Sequence, residues 1–201
     1  MIYLIRHGQT QFNREDRFQG RVDSPLTELG VAQAQAIGAR LKELADADPG
    51  DWAIQTSPLG RAIQTSQIIA GIVGLPGPTI EPRLIEVSYG DMEGLGRAEI
   101  DERWPELIGV TGVFGRAPGG ETIEALCARV GAWLADHPSE RRRLVAVTHA
   151  GVVRAARGLY AGLGVEAMRA MDKPQDAFFR LHEGRVERLE CPPLPSGALG
   201  R

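Results

Sequence analysis

Long hydrophobic runs are missing from this chain of 201 residues. No apolar stretch approaches the roughly 20 residues of a membrane-spanning helix, so no membrane contact of that kind is expected. The start of the chain has neither a charged n-region nor a signal-type apolar core, because Arg6 follows too soon; no secretory leader is expected. Cysteine is scarce. Cys127 falls within an expected helix and Cys191 in the tail, and neither has a metal or redox spacing. The expected setting is a reducing cytoplasm. The histidines (His7, His137, His149, His182) are too scattered to form a metal-ligand cluster, and no cofactor is expected. Charge of one sign is also lacking. The net charge is −3, with basic and acidic residues mixed along the chain, which gives no support to a nucleic-acid or membrane-surface partner. The one basic run, Arg141-Arg142-Arg143, is short and reads as a solvated turn. There are no internal repeats. The length fits one domain, read as 1–190 with an excursion over 87–120, followed by a poorly ordered tail over 191–201.

What is present is organised around the first eight residues. Met1 to Ile5 is a short apolar run with the side chains of a buried strand, and it breaks off at Arg6-His7-Gly8. The glycine allows a sharp turn and close approach to a ligand. Arg6 and His7 are therefore expected at the C-terminal end of a central strand, where open α/β sheets bind ligands. Gln9 to Pro25 reads as a loop with at most a short helical turn, and Thr27 as the N-cap of a helix to about Ala45. Trp52 to Thr56 is a second strand, followed by Ser57 as N-cap and Pro58 at the first position of a helix to about Val73. Arg83 to Val87 reads as a short strand that delivers Glu86. Ser88 to Gly96 is loop, 98–103 a short helix, and 107–120 irregular; the excursion is expected to lid the site. Thr122 caps a helix with Ile123, Leu126, Val130 and Leu134 as its stripe, ended by His137-Pro138-Ser139. Leu144 to Val147 is an unbroken apolar strand that ends in Thr148-His149, with a helix from about Val152 to Ala161 behind it. Ala177–Leu181 and Arg185–Leu189 flank Glu183-Gly184 as an edge hairpin, a conceivable dimer edge.

Three expected strands thus end in reactive or anion-binding residues: Arg6-His7, Thr56 with Arg61 just beyond it, and Thr148-His149. In a mainly parallel sheet the C-terminal strand ends share one edge, so these residues converge. Two arginines and two histidines around one point suit a phosphate dianion. A histidine there can attack phosphorus while the arginines neutralise the charge that repels it. The leaving alkoxide needs a proton, and Glu86 is the carboxyl best placed to donate one.

At this point the residues reach a known pattern. Arg6-His7-Gly8-Gln9-Thr10 with Asn13 resembles the signature of the histidine phosphatase superfamily, the phosphoglycerate mutase-like proteins. Further blocks follow in the family's order: Ser57 to Thr65 around Arg61; Leu84-Ile85-Glu86 with Tyr89-Gly90 and Glu93-Gly94; Pro118 to Thr122; and Val147-Thr148-His149-Ala150-Gly151. The resemblance runs from residue 1 to about 160. It implies a three-layer α/β/α sandwich with a mainly parallel central sheet. It further implies His7 as a phosphohistidine nucleophile, and Arg6, Arg61 and His149 holding the phosphoryl group with Asn13 in support. Glu86 would be acid and then base. Gln19 and Gly20 are candidates for phosphate contact, and Tyr89 and Met92 for contact with the leaving group. Departures from the pattern are Ala150 for a glycine, Met92 for an aromatic residue, and Gly96-Arg97. Glu121 is read as serving the start of its helix, and Trp104, Trp133 and Phe114 as packing residues.

Three functions are weighed. The preferred one is a phosphomonoesterase acting on a small phosphorylated metabolite. A cofactor-dependent phosphoglycerate mutase is second, and a non-catalytic scaffold third. The intact set of Arg6, His7, Arg61, Glu86 and His149 disfavours the scaffold. The segment 83–116 carries seven acidic residues against four basic ones, and Gln19 to Thr27 looks like the phosphatase branch; both disfavour the mutase. The acidic lean of that segment also favours simple monophosphates as substrates.

Overall fold

A computed structural model describes residues 1–107, 115–137 and 142–194. Phe114, Pro138-Ser139, part of the irregular stretch 107–120 and most of the tail lie outside the described residues.

The sheet has six strands in the order β3-β2-β4-β1-β5-β6. β1 (Ile2–Arg6) and β4 (Arg143–Thr148) lie in the middle, parallel to each other and to β2 (Trp52–Thr56) and β3 (Thr79–Ile80). β5 (Ala177–His182) runs antiparallel to β1, and β6 (Arg185–Glu190) antiparallel to β5, as the hairpin reading expects. Among the described residues seven α-helices accompany it: α1 (Gln11–Arg14), α2 (Glu28–Ala47), α3 (Gly60–Val73), α4 (Arg97–Arg103), α5 (Ile123–Ala135), α6 (Ala150–Tyr160) and α7 (Val165–Ala170).

Alternation along β1 explains the three layers. Ile2 and Leu4 enter one core with Leu126, Val130 and Trp133 of α5 and Val152, Ala155 and Ala156 of α6. Tyr3 and Ile5 enter the other with Ile37 and Leu41 of α2 and Ile69 of α3. β4 does the same, with Leu144 and Ala146 on one side and Val145 and Val147 on the other. Both strands are covered on both faces, as their unbroken apolar sequence requires. In α5 the inner stripe ends on Trp133, fully buried, rather than on the half-buried Leu134.

Three local expectations are corrected. Residues 83–87 are not a strand. Glu81 caps a 3₁₀ turn over Pro82–Leu84, because the proline lacks the N–H a ladder needs, and the edge strand is the two-residue β3 before it. The helix after β2 starts at Gly60, not at Pro58. Ser57 does not cap it; the Asp23 carboxylate accepts from the Arg61 N–H instead, at 3.3 Å. Glu121 does not serve its helix start either. Its carboxylate takes the Arg129 fork at 2.7 and 2.8 Å and has Arg21 at 3.4 Å.

The turn after β1 is set by a close backbone approach. A Cβ on Gly8 would stand 2.2 Å from the Gly30 carbonyl oxygen, and one on Gly30 would stand 2.1 Å from that of Gln9. Only two glycines let the loop lie on the first turn of α2. Gly8→Ala is expected to push the loop off the helix and to destabilise the fold by about 2–3 kcal/mol. Urea unfolding of the variant beside the parent protein measures this; a loss below about 0.5 kcal/mol would mean that the contact is soft.

Candidate active site

The C-terminal ends of β1, β2 and β4 lie in register, Arg6 beside Thr148 and Thr56 beside Val147, so their following residues share one edge. A cavity of about 330 Å³ opens there, and Arg6, His7, Arg61 and Glu86 are among its walls. A second cavity of about 410 Å³ lies at the opposite edge, where the strands begin at Ile2, Trp52 and Leu144, and holds none of the candidate residues.

His7 is nearly wholly buried. Its Nδ1 lies 2.7 Å from the Gly8 carbonyl oxygen, and its Nε2 lies 3.3 Å from Arg61 Nε. A guanidinium only donates, so Nε2 is the unprotonated nitrogen and Nδ1 carries the hydrogen given to Gly8. Burial, and then the charges of Arg61 and Arg6, hold the imidazole well below its ordinary pKa. The ring is therefore neutral at physiological pH, with a lone pair on Nε2.

Arg61 is fixed on every side. Its Nη2 donates to the Gly20 carbonyl at 2.6 Å, and its Nη1 to the Val22 carbonyl at 3.0 Å and to Asp23 Oδ1 at 3.1 Å. Gly20 adopts φ +53°, and a Cβ there would meet the Glu93 carboxylate at 2.3 Å. Its place in the site is thus to present a carbonyl to Arg61. Burial lowers the Arg61 pKa, with Glu86 and Asp23 opposing. Arg6 is lowered further, to about 10, by desolvation first.

His149 is wholly buried and lies behind His7, ring centroids 5.1 Å apart, rather than on the cavity wall. Its Nε2 is 2.7 Å from Ser57 Oγ, which explains why Ser57 is not a helix cap. The same hydroxyl accepts from the Leu59 N–H at 3.3 Å, so Ser57 ties the imidazole of His149 to the turn that leads into α3. Burial and the charge of Arg61 hold His149 well below the ordinary histidine range.

Glu86 is delivered by the extended residues after the 3₁₀ turn. Its Oε1 accepts from the Val87 N–H at 2.8 Å and the Gly151 N–H at 3.1 Å, and Oε2 receives only Gly151 at 3.2 Å. The carboxyl thus sits at the first turn of α6, with Oε2 the less engaged of its two oxygens.

Asn13 lines the cavity. Its Oδ1 is used by the Thr10 N–H at 3.3 Å and Gln175 Nε2 at 3.2 Å, which leaves Nδ2 to face a ligand. Gln19 accepts from Thr10 Oγ1 at 3.1 Å, and Tyr89 also lines the wall. Met92 does not. It is fully buried with Ile100, Phe18 and Trp104 in the core of the excursion, so its assignment to the leaving group is corrected. Three buried nitrogens at the site, Arg6 Nε, Gln19 Nε2 and His149 Nδ1, have no partner among the described residues. Buried polar atoms rarely go unpaired, and the two that belong to cavity-lining residues, Arg6 Nε and Gln19 Nε2, are donors suited to an anion.

Sequence reasoning missed Lys173 and Gln175. Gln175 donates to the His7 carbonyl at 3.0 Å, and Arg6 Nη1 donates to the Lys173 carbonyl at 2.7 Å. The signal was the hairpin: a strand antiparallel to β1 begins where β1 ends, so the segment leading into it crosses the site.

Similarity to known proteins extends over most of the chain. A family model described as "Histidine phosphatase superfamily (branch 1)" matches residues 2–185. The chain is 34% identical over 204 residues to a probable phosphoglycerate mutase GpmB of Enterobacter sp. (strain 638), covering 98% of this chain and 88% of that one. The protein of the same name in Salmonella paratyphi C is 40% identical over 137 residues, spanning 67% of this chain and 61% of that relative's length. A mycobacterial glucosyl-3-phosphoglycerate phosphatase, solved with VO3, superimposes with a TM-score of 0.74 at 28% identity, covering 94% of this chain and 96% of that one.

The two buried neutral histidines make stability depend on pH. Their pKa values are lowered in the folded state, so the unfolded chain binds more protons and stability falls as pH drops below about 6.5. Each contributes a slope of up to about 1.4 kcal/mol per pH unit between about pH 6.5 and 5.5. The less buried His137, lowered in the same sense, adds a smaller share. Urea unfolding at pH 7.5, 6.5 and 5.5 is expected to show the fall, and a His149→Gln variant about half the slope; a flat profile would mean that these rings are charged in the fold.

Proposed function

The chain belongs to the histidine phosphatase superfamily, branch 1, and from that premise we propose that it hydrolyses a small phosphate monoester through a phosphohistidine on His7, without a metal. The observation that carries the reading is the polarity of the His7 ring: Arg61 donates to Nε2, so the lone pair faces the arginine that would bind the phosphoryl group.

In the first half-reaction His7 Nε2 attacks phosphorus and the bond from phosphorus to the ester oxygen breaks. Arg6, Arg61 and Gln19 take the charge on the phosphoryl oxygens, with Asn13 Nδ2 beside them and His149 backing the His7 ring. The proton on Glu86 Oε2 passes to the leaving alkoxide. In the second, the Glu86 carboxylate takes a proton from water, whose oxygen attacks phosphorus. The phosphorus–nitrogen bond breaks, the electron pair returns to Nε2, and phosphate leaves with Glu86 again protonated.

A mutase reading is supported by the printed name of the Enterobacter relative. It differs only in the acceptor, a substrate hydroxyl in place of water. One experiment covers both. The protein is incubated in EDTA with p-nitrophenyl phosphate and a panel of alkyl phosphates including 3-phosphoglycerate, and inorganic phosphate and isomerised product are measured. Phosphate release is expected to persist in EDTA and to fall by about a thousandfold or more in His7→Ala. Glu86→Gln is expected to cost about 10²–10⁴ on alkyl esters and much less on p-nitrophenyl phosphate, whose leaving group needs no proton. Isomerisation with little release would replace the phosphatase by a mutase, and activity retained in His7→Ala would remove the nucleophile.

A further inference from the structure

Glu86 reaches the site on a segment that no regular element holds. Residues 85–89 lie between two 3₁₀ turns, Pro82–Leu84 and Gly90–Met92, in neither strand nor helix. A buried irregular backbone has to find its partners elsewhere, and a general acid works only within hydrogen-bond reach of the oxygen it protonates. What fastens this segment is a set of bonds to its carbonyls. Thr148 Oγ1 at the end of β4 donates to that of Leu84 at 2.7 Å, and Arg129 Nη1 on α5 to that of Arg83 at 2.6 Å. Arg21 Nε donates to the carbonyl of Glu86 itself at 3.3 Å, and the Glu121 N–H to that of Ser88 at 3.0 Å. Gly120 lets the last two backbones come this close, since a Cβ there would stand 2.6 Å from the Ser88 oxygen.

Three of these four bonds run through one residue. Glu121 gives its own N–H to Ser88. Its carboxylate takes Nε and Nη2 of Arg129, which leaves Nη1 for Arg83, and it holds Nη2 of Arg21, which leaves Nε for Glu86. The Glu121 side chain is only 10% exposed, so the carboxylate shared by the two guanidinium groups is poorly replaced by water. The two arginines come from opposite sides. Arg129 lies on α5, and Arg21 stands between Gly20 and Val22, whose carbonyls accept from Arg61. The chain of charges Arg129–Glu121–Arg21 thus ties the segment of the acid to the loop that holds the phosphate arginine.

We propose that Glu121 is a positioning residue for proton transfer: through Arg21 and Arg129 it fixes the Glu86 carboxyl relative to Arg61, and so relative to the leaving oxygen of the ester. The inference rests on the phosphatase reading and concerns its first half-reaction. Glu121 is not among the residues that line the cavity, so it acts on Glu86 and not on the substrate. Loss of its charge is therefore felt where a proton has to be delivered and hardly elsewhere.

The leaving group separates this role from a structural one. Glu121→Gln keeps the size of the side chain and removes its charge. For this variant kcat/KM is measured on p-nitrophenyl phosphate and on the alkyl phosphate that the parent protein turns over fastest, with inhibition by inorganic phosphate measured alongside. On the alkyl ester a fall of about 10–100-fold is expected, the cost of a misplaced acid. On p-nitrophenyl phosphate the value is expected to stay within about threefold, and the inhibition constant of phosphate within about twofold, because neither depends on a proton from Glu86. In a Glu86→Gln background, adding Glu121→Gln is expected to change the alkyl-ester value by less than about twofold, since the group it positions is already gone. Arg21→Met removes only the bond to the Glu86 carbonyl and the outer ion pair; the same pattern is expected at about 3–10-fold, and this variant decides the matter if Glu121→Gln does not fold. Equal losses on both esters, a full further loss in the Glu86→Gln background, or an alkyl-ester value unchanged in both variants would overturn the proposal. Failure of the phosphatase reading shows separately, as absence of phosphate release by the parent protein from every ester of the panel.

Discussion

A buried guanidinium donating to an imidazole nitrogen is the contact on which the rest of this site depends. With Arg61 at 3.3 Å, His7 Nε2 is held without a proton, and the imidazole is kept as a free base. Putting an arginine there requires burying a charge, which the protein does only by surrounding it with acceptors. Gly20, Val22 and Asp23 supply them, and so the loop from 20 to 23 is shaped by the arginine's needs. Gly20 has its positive φ for that reason. The two arginines are thus positioned before any ligand arrives, and no reorganisation is needed when negative charge develops.

The sheet does the remaining positioning. Three parallel strands end on one edge and α6 starts directly at that edge, so a carboxyl brought by an irregular segment meets a helix N-terminus. The antiparallel β5 then returns the chain to β1 and lays the strap of residues 171–175 along the rim. The same topology therefore gathers the candidate residues at the strand ends and brings Lys173 and Gln175 to the cavity wall.

Most of the fold was legible in the sequence because its strands are short, apolar and punctuated. Trp52–Thr56 and the hairpin follow directly from alternation and turn residues. The histidines and arginines of the site were legible for a related reason, since each sits within a few residues of a strand end. What escaped were groups whose role is set by distant partners. Ser57 looks like a helix cap until His149, 92 residues away, claims its hydroxyl. Met92 looks like a site residue, but its neighbours Ile100 and Trp104 enclose it. Lys173 has no local signature, because what places it is the direction of the strand that follows.

β1 has a further consequence, for how the protein is made. Its register partners are residues 144–148 on one side and 179–181 on the other, so the strand that carries His7 waits for about 140 residues of chain before it can pair. At translation rates of about 5–20 residues per second, that is roughly seven to thirty seconds on the ribosome as an unpaired apolar segment. Such delayed, non-local pairing slows folding and leaves a nascent chain open to aggregation or chaperone capture. His7 becomes ordered only when the strand that bears it is closed on both sides, so the candidate site is among the last parts of the molecule to form.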